Sequence, residues 1–273
     1  MKLKIKRMMD RLMKIFGKPE LSILPGNIAF NIVLAFFPFL ILIILIVSSF
    51  SIDVNSVIDL VRDILPSSAS DIVIDVISGK GFDSNVFFFV FIGLAVATNG
   101  MYAIITASNS VYGVKNSDMI KDRVKAVILL FIILILFLFL IIVPIFGDSI
   151  IRLLGHISFM SGITEEIMVI FKILQWPITY LIVYFNIKLI YAIAPSIFIE
   201  SETTSKGAIF TTIIWIVSTF IFKYYLTYFA KYDIIYGNLS SIIILMIWLY
   251  LLSTVFVMGI AINEEEYRKK KLK

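Results

Sequence analysis

Between Ala126 and Val143 the chain carries eighteen consecutive residues without one polar side chain. A bilayer core ~30 Å thick is crossed by about 20 helical residues, so a run of this kind reads as a membrane-spanning helix. Extended to its natural limits it covers Val124–Phe146, and five other stretches share its character: Ile28–Ile52, Ser84–Val114, Ile167–Pro195, Gly207–Ala230 and Leu239–Ile262. Lipid offers no partner to backbone N–H and C=O groups, so such spans are helices. The expectation is an all-α polytopic membrane protein with six transmembrane helices. Composition agrees: 60% of residues are hydrophobic and only 16% charged, with a mean hydropathy of +1.01, where soluble domains carry about 25% charge.

The chemistry open to this chain is limited by what it lacks. It has no cysteine, which removes disulfides, thiolate metal sites and cysteine nucleophiles, and a single histidine, His156, which removes any multi-histidine metal cluster. No cofactor is expected, and His156 reads as a solvated loop residue. Metal-assisted phosphodiester hydrolysis needs clustered carboxylates, and here the acidic residues lie on scattered loops. Their one dense group, Glu264-Glu265-Glu266, is expected at an exposed helix end. No carboxylate is expected to be buried in any span, which argues against a proton-driven carrier. A GxxxxGK[ST] phosphate loop is also missing, so ATP-driven transport is not expected.

Where the positive charge falls matters more than its sum of +5. Six crossings put both termini on one side. Of the 24 lysines and arginines, seven precede the first span, four lie between Lys115 and Lys125, one is Lys206 and five are in the tail, which gives 17 on the side of the termini. Only Arg62, Lys80, Arg152 and Lys231 lie on the other side. Cytoplasmic loops carry the excess of basic residues, so both termini are expected in the cytoplasm. Residues 1–24 form a basic amphipathic segment: Ile5, Met8, Leu12 and Ile15 recur at helical steps, with Lys4, Arg7, Arg11 and Lys18 on other faces. It reads as a helix lying in the inner interface on anionic lipid headgroups. Nucleic acid is not an expected partner, since no aromatic stacking pattern accompanies the charges. Residues 25–264 then form the transmembrane domain and 265–273 a basic cytoplasmic tail. The external loop 53–83 carries two short amphipathic patterns separated by Pro66, with six aspartates against two basic residues.

Polar side chains inside the spans are the candidates for function, because each costs free energy in lipid unless it meets protein or water. Asn99, Tyr102, Thr106 and Asn109 fall at steps of three and four and make one stripe on the second span. Such a stripe lines a hydrophilic cavity or bonds to neighbouring helices as packing glue; the spacing leaves both open. Lys172, Lys188 and Lys223 lie near span ends, where their stems can carry the ammonium to the headgroups or, turned inward, meet a substrate anion. Gln175 stands beside Trp176-Pro177 in the fourth span, and Pro38, Pro144 and Pro177 interrupt three helices.

The run Tyr236-Gly237-Asn238-Leu239, Ile247-Trp248-Leu249-Tyr250, then Gly259 through Asn263-Glu264 resembles the C-terminal pattern of the YihY/virulence factor BrkB family of bacterial inner-membrane proteins, once labelled ribonuclease BN. Ala194-Pro195, Lys206-Gly207-Ala208 and Trp215 fit the segment before it, Asn109 with Tyr112-Gly113 fits a more N-terminal one, and Ala29 to Pro38 resembles the family's first helix. Asn99 departs from the pattern, which carries tryptophan and serine nearby. The resemblance spans Gly26 to Glu264. It implies six helices with cytoplasmic termini and a role in the envelope as a transporter or lipid-handling protein, not as a nuclease. The expected function is export, flippase-like, of a lipid-linked or amphiphilic envelope component such as a glycolipid. The alternative is a non-transporting membrane scaffold for envelope assembly.

Overall fold

The computed structural model describes residues 22–35, 84–135, 164–228 and 240–272, together with the helical residue Ile74. Among these the regular structure is entirely helical: α1 (Leu24–Ala35), α2 (Ser84–Tyr112), α3 (residues 119–135), α4 (Thr164–Ile193), α5 (Ser205–Tyr228) and α6 (Ser240–Lys271). Each overlaps one of the six apolar runs. Phe91–Tyr112, Ser205–Leu226 and Ile242–Lys271 are long and apolar enough to cross a membrane, while Leu24–Ala35 and Tyr180–Ile193 are shorter apolar helices. The N-terminal amphipathic helix, the two helices of loop 53–83, Pro38, Pro144, His156, Tyr236 and Gly237 lie outside the described residues.

Local chemistry sets the helix ends. Gly113 adopts φ +72°, and its N–H and that of Val114 donate to the carbonyls of Ser110 and Asn109. This paired closure with a left-handed glycine stops α2. Asp118 then caps α3, its carboxylate accepting from the backbone N–H of Ile120 at 3.0 Å and of Lys121 at 3.3 Å. The Lys121 N–H in particular holds that carboxyl below the usual carboxylate range. The cap starts α3 earlier than apolarity alone predicts, so the basic stretch read as loop is helical from residue 119. At the other end of the fold α6 continues to Lys271, past Ile262 where the apolar run stops. Glu264 pairs with Arg268 and Glu265 with Lys269 one turn on, and four basic residues in the last turn complement the helix dipole.

The expected exposed helix end at Glu264-Glu265-Glu266 is corrected here. Glu264 is only 6% exposed and Glu266 is half-buried against Lys206 of α5 at 2.5 Å. Each of the three carboxylates has a cation beside it: Arg268 for Glu264, Lys269 for Glu265, and Lys206 of α5 for Glu266.

Two glycines allow that packing. Along α6, Leu252, Phe256, Gly259 and Asn263 form one face, and it meets Gly207, Thr211 and Trp215 of α5. Trp215 Nε1 donates to the Leu252 carbonyl at 2.8 Å, and the Gly207 N–H donates to Asn263 Oδ1 at 2.8 Å. Tyr191 of α4 joins them: its hydroxyl donates to the Phe256 carbonyl at 2.9 Å and lies 2.7 Å from Thr211 Oγ1. A Cβ on Gly207 would run into the Gly259 carbonyl, and one on Gly259 into Thr211 Oγ1 and the Tyr191 hydroxyl. Small residues let helices approach closely where hydrophobic force cannot drive them together. Gly259→Ala is therefore expected to lower stability by about 1–3 kcal/mol through overpacking, and Gly207→Ala by at least as much, because its obstacle is backbone. Unfolding of both variants in detergent micelles, against the wild type, checks this.

Candidate functional site

The ends of α2, α4 and α6 and the starts of α3 and α5 gather at one end of the bundle. Tyr112 and Tyr267 meet edge to face with ring centroids 5.7 Å apart, and Lys270 pairs with Glu200 and Glu202 in the α4–α5 connection. The basic residues Lys121, Arg123, Lys125, Lys206 and Arg268–Lys271 are therefore at a shared end. Antiparallel helices joined by short connections require this, and the charge count along the sequence anticipates it.

A buried polar network lies at that end. Asp122, 2% exposed, stands one turn into α3 and faces Asn109 of α2, 5% exposed. Asn109 Nδ2 donates to Asp122 Oδ2 at 3.2 Å and to Ser196 Oγ at 2.9 Å, while its Oδ1 accepts from the Ser196 N–H at 2.7 Å. Ser196 Oγ donates in turn to Asp122 Oδ1 at 2.5 Å. Lys125 Nζ completes the set, 3.4 Å from Asp122 Oδ1, and donates to Ser196 Oγ and to the carbonyls of Ala194 and Pro195. Pro195 ends α4 by disfavouring helix in the residue before it, which frees those two carbonyls to turn toward α3. The network joins α2, α3 and the α4–α5 connection. Asp122 stands just before the apolar run Val124–Phe146, in the stretch read as loop, and its charge is matched by an ammonium and an amide, conditions that a residue-by-residue reading of a basic stretch does not reveal.

Further back along α2 is a second polar group. Arg123 Nη1 donates to Asn99 Oδ1 at 2.7 Å, and the guanidinium carbon sits 4.0 Å from the centroid of the Tyr102 ring. Asn99, the residue out of step with the resembled pattern, is thus an acceptor for a cation on α3. The expected stripe divides accordingly. Asn99 and Tyr102 hold Arg123, Thr106 bonds within its own helix to the Ala103 carbonyl at 3.0 Å, and Asn109 enters the buried network. Lys172 and Gln175 are carried on α4 and Lys223 on α5, with side chains outside the described residues. Lys188 is half-buried on α4. Asp122, Arg123, Lys125 and Ser196 are the residues that sequence reasoning missed. Their signal was the capping Asp118 followed by Asp122 one turn later, which marks the stretch as helix.

The family model described as Virulence factor BrkB matches residues 13–273. The chain belongs to the virulence factor BrkB family. Among its relatives is the ribonuclease-like protein YfkH of Bacillus subtilis (strain 168), 28% identical over 251 residues that cover 90% of each chain. A UPF0761 membrane protein of Coxiella burnetii (strain Dugway 5J108-111) is 25% identical over 120 residues, 41% of this chain and 43% of its own. Another, of Tolumonas auensis, reaches 36% over 80 residues, 29% of this chain and 26% of its own. No solved structure matches. In this BrkB-family chain the motif residues Gly259 and Asn263 stand at the α5–α6 contact, and Trp248 is half-buried on α6.

Breaking the network should strand a charge. Asp122→Ala is expected to lower stability by about 2–4 kcal/mol, since it removes the counter-charge of the part-buried Lys125 ammonium and one acceptor each from the Asn109 amide and the Ser196 hydroxyl. Ser196→Ala should cost about 1–2 kcal/mol. Adding Lys125→Met to Asp122→Ala should recover part of the loss, because no charge is then left unpaired. Unfolding in micelles measures all three.

Proposed function

We propose that this BrkB-family membrane protein is a flippase-like exporter of a lipid-linked or amphiphilic envelope component, in the bacterial cytoplasmic membrane with both termini inside. The observation that carries the reading is the polar face of α2 with Arg123 laid against it. Polar and charged groups at membrane depth are costly and mark the route of a polar cargo. Here an amide, an aromatic ring and a guanidinium line the α2–α3 face beside exposed Val124, Val127 and Ile128, so polar and apolar surface adjoin as an amphiphile requires. The buried network just beyond joins three segments by hydrogen bonds that can be exchanged, and so serves as a closure at the basic end. Anionic headgroups are the partners of that basic end. The reading involves no enzymatic step.

The scaffold reading has one observation in its favour. Every polar atom of the Asn109 amide is bonded within the protein, as structural glue would be. Vesicles separate the two. Purified protein in liposomes should speed the crossing of a headgroup-labelled anionic lipid, followed by chemical quenching of the outer leaflet, relative to protein-free vesicles. Asn99→Leu should slow it by about tenfold, the loss of one charge-assisted bond. A rate equal to that of protein-free vesicles would favour the scaffold.

A further inference from the structure

We infer that Arg123, oriented by Asn99 and Tyr102, is a recognition site for the phosphate of an anionic amphiphile. The two basic residues that flank it on α3 are settled by carboxylates: Lys121 pairs with Asp118 at 3.6 Å and Lys125 with Asp122 at 3.4 Å. Among the described residues Arg123 is held instead by a neutral amide oxygen and the face of a ring. Neither partner neutralises it. Asn99 takes one of the five guanidinium N–H groups, and the ring fixes the plane, so the remaining donors form a preset fork of the geometry that a phosphate accepts.

Its surroundings identify the kind of phosphate. Arg123 is exposed, and it interrupts a stripe of exposed apolar residues on α3, Ile120, Val124, Val127, Ile128 and Phe131, that recur at three and four residue steps. On a membrane helix such a stripe faces acyl chains. A snorkelling arginine would extend toward the headgroups near its own end of the helix. Arg123 reaches the other way, to Asn99, which lies ten residues before Asn109 and so about 15 Å further along α2. A cation held at that depth on an acyl-facing wall suits a phosphate that brings its own hydrocarbon, as in an anionic phospholipid or a lipid-linked sugar phosphate, better than a free anion from water. The inference deepens the export reading and rests on it for the cargo role, while the binding site itself is separately testable.

The test is native mass spectrometry of the full-length protein in gentle detergent, titrated with phosphatidylglycerol and, separately, phosphatidylcholine, with inorganic phosphate as competitor. Wild type should retain one phosphatidylglycerol in preference to phosphatidylcholine. Arg123→Gln should weaken that selective adduct by about tenfold, and Arg123→Lys should only partly restore it, because an ammonium lacks the fork. Asn99→Leu keeps the charge but frees the side chain, and should weaken the adduct too. Thermal unfolding of each variant identifies any that fail to fold, and Asn99→Leu and Arg123→Lys then serve in place of Arg123→Gln. Equal adducts in wild type and folded Arg123→Gln overturn the site. Displacement by millimolar inorganic phosphate, with no preference between the two lipids, overturns the lipid assignment. Selective binding through Arg123 without any movement of lipid in vesicles leaves the site standing and removes the export reading.

Discussion

The pair Asp122 and Lys125 sets the terms for the basic end of this molecule. A carboxylate taken out of water at the edge of a bilayer is tolerated only with an opposite charge and with its remaining lone pairs engaged. Asn109 from α2 and Ser196 from the α4–α5 connection meet that demand, and in doing so fix where α2, α3 and the end of α4 stand relative to one another. The Gly113 turn and the Asp118 cap make this geometry reachable by bringing Asp122 round to face Asn109 within a short connection. Arg123, next in sequence, is then forced onto a different face of α3, toward Tyr102 and Asn99.

A second contact works by absence of side chains. Gly207 and Gly259 let α5 and α6 touch through backbone, and the space beside Gly259 admits the Tyr191 hydroxyl from α4. Each hydrogen bond in this seam is modest, about 0.6 kcal/mol on average in membrane helix bundles. Their geometric effect is larger, since they fix a three-helix junction that leaves Ile213, Val217, Phe220 and Ile221 of α5 exposed.

Much of this was legible in the sequence, for identifiable reasons. Apolar run length gave the helices, because lipid leaves the backbone no alternative. The stripe Asn99, Tyr102, Thr106 and Asn109 was visible from its spacing, but its partners were not: they come from α3 and from beyond α4, and no periodicity within one helix encodes them. Asp122 was hidden for a related reason. Read in one dimension it belongs to a charged loop, and only the cap at Asp118 and the return of α3 against α2 make it interior. The acidic run at Glu264 is a similar case, since its burial and the pairing of Glu266 with Lys206 of α5 arise only in the packed helices. The resemblance to the BrkB family pointed to Gly259 and Asn263, and the packing supplies the physical reason for a glycine and an amide at those positions.

In the proposed orientation the one basic end, where alternate helix termini meet, faces the cytoplasm. Because the natural chain has no cysteine, single cysteines at Asn116, Ser201 and Lys271 can be labelled one at a time with a membrane-impermeant maleimide, in intact cells and in inverted membrane vesicles. The account predicts that all three are protected in cells and labelled in inverted vesicles. Labelling of any one of them from outside intact cells would contradict it.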